Sequence, residues 1–174
     1  MKKTLLTCND IIIMKLKIVN VTHQVVSTYD HSTLLNRMLC RSVYNVDDII
    51  EYFKMYPDVS LGSGYYFNDA ITLLCSYNCA MKTPDIIKIL DHLLLTNDVN
   101  AKSNRDYTPL LAAVENGDLS IVEYLVSKGA KFIIDGKVIR STNNMTIDDH
   151  ISHTRRSALR AFVVECIYKE VTGG

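Results

Sequence analysis

The stretch from Thr108 to Ala130 constrains the fold of this chain more than any other. It reads as a helix from Pro109, a turn at Asn116-Gly117-Asp118, a second antiparallel helix, and a stop at Gly129. Thr108 is placed to cap the first helix, its hydroxyl accepting from first-turn N–H groups. Pro109 follows at the first helical position, where its missing donor is harmless and its fixed φ is suitable. Leu110, Ala113 and Val114 share one face by i, i+3, i+4 spacing, and Ile121, Val122, Leu125 and Val126 form the stripe of the second helix. Glu123 and Lys128 point away from that stripe. Gly129 is suited to the left-handed conformation that ends a helix. Such a unit cannot bury its own apolar face, so it must stack on neighbours of its own kind.

The unit recurs. Asp48-Ile49-Ile50-Glu51-Tyr52-Phe53, Asp85-Ile86-Ile87-Lys88-Ile89-Leu90 and Ser120-Ile121-Val122-Glu123-Tyr124-Leu125 align, their first isoleucines 37 and 35 residues apart. Asn45, Thr83-Pro84 and Asn116-Gly117 precede the three as turn or cap residues. An apolar helix precedes each motif: Leu34-Leu35-Met38-Leu39, Ile71-Leu74-Cys75, and Leu110-Ala113-Val114.

Residues Val99 to Ala130 resemble the ankyrin repeat, whose core runs Thr-Pro-Leu-His-x-Ala-Ala, then Gly, a Leu-rich helix and Gly-Ala. Leu111 stands at the usual His position and Asp106 at the usual Gly position before Tyr107. The first two units carry longer inter-helix loops than a repeat of about 33 residues allows. The resemblance implies an all-α ankyrin-repeat solenoid of about three irregular repeats with terminal caps. Its expected divisions are an N-terminal cap over 1–30, repeats over 31–135 (31–62, 66–100 and 101–135), and a degenerate repeat or helical cap over 136–174. Leading into that last segment, Phe132 to Val138 suggests an extended turn or hairpin. Thr146 with Asp149 resembles a capping box. Leu159, Phe162, Val163, Cys166 and Ile167 trace an amphipathic helix whose polar outer face Arg155, Arg156, Arg160, Glu165 and Lys169 would supply.

Composition narrows the function. The chain has 174 residues, 48% of them hydrophobic, and 19 basic against 19 acidic side chains. Zero net charge argues against a general binder of nucleic acid or anionic membrane. Lys2-Lys3 and Leu5-Leu6 open like a signal peptide, but Thr7, Cys8, Asn9 and Asp10 interrupt the apolar run. No run approaches the roughly 20 apolar residues of a bilayer span. Met14 is an alternative start to Met1, and Ile11 to Val26 is ambiguous between strand and helix. Five cysteines, an odd number, suggest reduced thiols and a cytoplasmic location.

No catalytic or metal constellation stands out. Cys75, Cys79, His150 and His153 offer Cys-x3-Cys and His-x2-His pairs, yet Cys75 falls on an apolar helix face and the spacing fits no zinc family. Asp47-Asp48 and Asp148-Asp149 sit where carboxylates meet helix N-termini. The expectation is therefore no enzyme, no cofactor and no metal. Buried cysteines and surface histidines are the plainer reading of that quartet.

By resemblance, hairpin tips and the exposed side of the first helices form a concave partner surface. The positions concerned are Lys102, Asn104, Arg105, Tyr107, Glu115 and Asn116, with Lys128 beside them. Tyr65, Tyr66, Phe67 and Asn68, on the equivalent approach to the second repeat, either join that surface or pack beneath the hairpin. Irregular repeats and Ile/Asn/Asp/Tyr-rich phrases such as Asp98-Val99-Asn100-Ala101-Lys102 resemble poxvirus ankyrin proteins over about residues 33–135. No F-box-like segment of the kind many of those carry is recognisable. The implied function is a monomeric module in the host cytoplasm that binds a host protein of antiviral or ubiquitin signalling. The alternatives are a zinc- or thiol-dependent enzyme built on the Cys/His quartet, and a decayed fragment of a longer ankyrin protein.

Overall fold

A computed structural model describes residues 39, 45–55, 70–76, 79, 81–103, 107–140, 147 and 157–173. Its elements are α1 (Val46–Met55), α2 (Ala70–Cys75), α3 (Thr83–Leu93), α4 (Pro109–Asn116), α5 (Leu119–Ser127), β1 (Ile133–Ile134), β2 (Lys137–Val138) and α6 (Ser157–Thr172). The structure is mostly helical, and its two strands form one short antiparallel hairpin.

Local chemistry accounts for the helix ends. Thr108 Oγ1 accepts from Leu111 N–H at 3.2 Å, and Pro109 opens α4. Asp118 caps α5, its Oδ1 accepting from Ser120 N–H at 3.1 Å and Ile121 N–H at 3.3 Å. Gly129, at φ 91°, closes α5 in a Schellman arrangement. Its N–H donates to Val126 O at 2.9 Å, and Ala130 N–H donates to Leu125 O at 3.0 Å. Asn45 Oδ1 accepts from Asp47 N–H at 3.1 Å at the start of α1. The start of α3 differs from the sequence expectation. Lys82 is its N-cap and makes no side-chain cap bond. The Thr83 hydroxyl instead donates to Asp118 Oδ2 at 2.6 Å, reaching α5.

The helices pack in two rows. α2 lies against α4 in one row, while α1, α3 and α5 succeed one another in the other. α2 also packs on α3, and α4 on α5, which joins the rows. Every residue of α2 is buried, because it is covered by both neighbours. Ile49, Ile86 and Ile121, the aligned isoleucines of the recurring motif, are all buried, as are Leu90 and Leu125. Full burial of each such side chain contributes about 1.5–3 kcal/mol before chain entropy is set against it.

Polar links repeat along the outer row. Lys88 of α3 pairs with Asp47 of α1 at 2.7 Å. Asp91 of α3 receives Lys128 at 2.8 Å and the Tyr124 hydroxyl at 2.8 Å. Asn100 stitches the loop ends, donating to Gly129 O at 3.0 Å and accepting from Lys131 N–H at 2.8 Å.

The hairpin turns at Asp135 and Gly136, with φ 54° and 70°. Two successive positive φ values match a two-residue turn whose twist suits the flanking strands. Phe132 and Ile139 continue the pairing, Ile139 N–H donating to Phe132 O at 2.9 Å, and both side chains are buried. α6 docks beside the hairpin through Glu170, whose carboxylate accepts from Phe132 N–H at 2.9 Å and Ile133 N–H at 2.8 Å. Leu159 and Val163 anchor α6 in the core, with Phe162, Cys166 and Ile167 half-buried beside them.

Candidate interaction surface

The residues expected at a partner surface fall into distinct environments. Lys102 is exposed and lies 3.9 Å from Asp135 at the hairpin turn, so the loop after α3 approaches the hairpin. Asn104 and Arg105 lie outside the described residues, as do Asp106, Tyr65, Tyr66, Phe67 and Asn68. Glu115 and Asn116, on the last turn of α4, are half-buried. Burial raises the Glu115 carboxyl to about 7, because the charged form loses hydration there.

Tyr107 departs from the expected exposed position. It is only 7% exposed and belongs to the core cluster with Leu110 and Leu111. Its backbone explains why. Ser103 N–H donates to Tyr107 O at 2.8 Å, which fixes the Tyr107 backbone beside the Thr108 cap. The large apolar ring is then on the covered side. Lys128 also serves a different place, since its ammonium pairs with Asp91 and sits 5.2 Å above the Tyr124 ring. Its hydrogen bond and that of Tyr124 hold the Asp91 carboxyl below its usual range. Desolvation and the same carboxylate push the Tyr124 hydroxyl up.

Leu111, at the position where the repeat pattern has His, is fully buried. An aliphatic side chain there contributes packing in place of the hydrogen bonds an imidazole would make. Cys75 is also fully buried, and Cys79 Sγ donates to Leu39 O at 3.4 Å. His150 and His153 lie outside the described residues. Among the described residues, no three His, Cys, Asp or Glu side chains gather as a metal site. A cleft of about 150 Å³, lined by Phe53, Lys54, His92 and Leu95 among others, lies between the C-terminal ends of α1 and α3. It is smaller than the roughly 300–1,000 Å³ of typical small-molecule sites. No described helix is long and apolar enough to cross a membrane.

The decisive geometry is the capped pair α4–α5 running into the Asp135-Gly136 hairpin. Residues 105–136 match the family model of the ankyrin repeat. No curated protein and no solved structure matches the chain. The matched stretch takes in all of α4 and α5, β1 and the hairpin turn. The ankyrin repeat is generally a non-catalytic module for protein–protein interaction, and residues 105–136 are similar to it.

Asn100 and Thr83 are conspicuous in the sequence only as loop and cap residues, and their long-range roles are not. Asn100 stood out only within the phrase Asp98-Val99-Asn100, and nothing local pointed to Gly129 and Lys131 as its partners. Glu170 carried no signal, because an acidic residue near a helix C-terminus gives no hint of two backbone donors 37 and 38 residues away.

Proposed function

We propose that the chain is a short stack of about three irregular ankyrin repeats that works by binding another protein. The supporting observation is the two-row packing. α2–α3 and α4–α5 are helix pairs in the same relation, each element lying against its counterpart. The family match falls on the second pair. The first would then be a divergent copy of it, with α1 the second helix of a further copy. In this reading, residues 136–174 form the terminal cap.

The contact surface is proposed at Lys102, Asn104 and Arg105 on the loop before α4, and at Glu115 and Asn116 on its last turn. Tyr107 is reassigned to the core. Arg105 is the residue of this set whose type is enriched at protein interfaces. The finer assignment is a viral chain of poxvirus type in the host cytoplasm, engaging a host protein of antiviral or ubiquitin signalling. It rests on the wording of the repeats alone.

The test is comparative capture from host cells, with wild-type protein beside a Lys102→Ala, Arg105→Ala, Asn116→Ala variant of unchanged melting temperature. A partner bound by the wild type and lost from the variant is the expected result. An identical captured set from both would remove this face from consideration.

A further inference from the structure

Four large apolar side chains stand exposed among the described residues, and three of them are on α6: Val164 at 52%, Tyr168 at 67% and Val171 at 68%. With Ala161, also exposed, they are spaced three, four and three residues apart. That is the a/d spacing of a helix seam. The stripe lies on the opposite side of α6 from Leu159 and Val163, which face the core. The sequence suggests a polar outer face for this terminal helix; the structure shows an apolar strip between charged flanks.

We propose that this strip is a self-association face, on which the α6 of a second copy packs in parallel. The charges on its flanks identify the occupant. Arg160 precedes Ala161 on one flank, and Glu165 follows Val164 on the other; both are exposed. In a parallel pair, these two positions of neighbouring helices face each other across the seam. Arg160 of each copy then meets Glu165 of the other, giving two equivalent ion pairs about a twofold axis. An antiparallel pair sets like flank against like flank and loses both. Lys169 holds Glu165 Oε1 at 2.6 Å within the helix, which orients the carboxylate while its second oxygen remains for the arginine. Ala161 at the first seam position lets the backbones approach closely, and Tyr168 supplies the largest apolar contact. With 16 residues in α6, the seam has only two a/d repeats. Association is therefore expected to be concentration-dependent rather than permanent. This reading differs from the monomer that the sequence suggests.

Sedimentation equilibrium of the full chain over a wide concentration series tests it. The apparent mass is expected to rise from 19.7 kDa toward twice that value. A mass that stays at 19.7 kDa throughout overturns the proposal. Tyr168→Glu, at an exposed position that leaves the core intact, is expected to hold the protein monomeric with an unchanged circular dichroism spectrum. Wild-type association by that folded variant would place the contact elsewhere and overturn the proposal equally. Arg160→Glu should weaken dimerisation at least several-fold, and Arg160→Glu with Glu165→Arg should restore it. A double variant no stronger than the single one refutes the parallel arrangement.

Discussion

Asp118 links the starts of α3 and α5, and its removal should show both roles. One carboxylate oxygen caps α5 through Ser120 and Ile121, and the other accepts the Thr83 hydroxyl at the start of α3. Loss of an Asp cap costs about 1 kcal/mol, with a range of roughly 0.5–2. The Thr83 bond is charge-assisted, and such bonds contribute about 1.5–3 kcal/mol. Its partly exposed position argues for about 1 kcal/mol instead. Asp118→Ala should therefore destabilise the protein by about 2 kcal/mol. For a chain of this size that corresponds to a fall of roughly 4–8 °C in Tm. Thr83→Ala should cost about half as much, since it leaves the cap in place. The assay is urea unfolding of wild type, both single variants and the double variant. A coupling energy of about 0.5–1.5 kcal/mol is expected from the cycle. A cycle that closes with no coupling would mean that the 2.6 Å bond contributes nothing, and the argument for a polar link between α3 and α5 would fail.

Glu115 gives a pH dependence of definite sign. Its folded carboxyl is raised to about 7 by burial, so the native state holds a proton that the unfolded chain releases near the ordinary value of 4.5. Stability from this group is full below about 4.5 and is lost as pH rises toward 7. Urea midpoints should fall from pH 5 to pH 7.5, and Glu115→Gln should flatten that fall; an unchanged slope would contradict the burial argument. Asp91, held low by Lys128, acts in the opposite direction, its contribution fading only as pH drops below its usual 3.8. Gly129→Ala should cost about 1 kcal/mol, in the range of 1–2 for a left-handed non-glycine residue, because nothing lies within 4 Å of an added Cβ and only the backbone at φ 91° objects. A melt indistinguishable from wild type would show that the helix end relaxes freely. Glu170→Ala should accelerate hydrogen exchange at the Phe132 and Ile133 amides, and unaltered protection there would argue against docking of α6 through that carboxylate.

The helix pair α4–α5 was legible in the sequence because its signals are local. Thr108, Pro109 and Gly129 act within one or two turns of themselves, so order along the chain is order in space. The 37- and 35-residue recurrence likewise located α1, α3 and α5, since buried isoleucines mark the same face of each. The candidate surface was less legible. Tyr107 looks exposed by its position in the pattern, yet its ring is buried in the core and its carbonyl is held by Ser103 N–H, a packing outcome no local signal gives.

By itself, then, the sequence determined that the recurring motifs and the Thr108–Ala130 pair are helical and where that pair turns and stops, because caps, turns and apolar spacing are properties of neighbouring residues. Only the tertiary structure decided how the pairs are fastened to one another. Thr83 to Asp118, Asn100 to Gly129 and Lys131, and Glu170 to the hairpin join residues some 30 to 40 positions apart, and only packing brings such groups within hydrogen-bonding reach. The same is true of the apolar strip on α6. Val164, Tyr168 and Val171 have the composition of core residues, and their exposure follows from Leu159, Val163 and Glu170 having turned the other side of the helix inward.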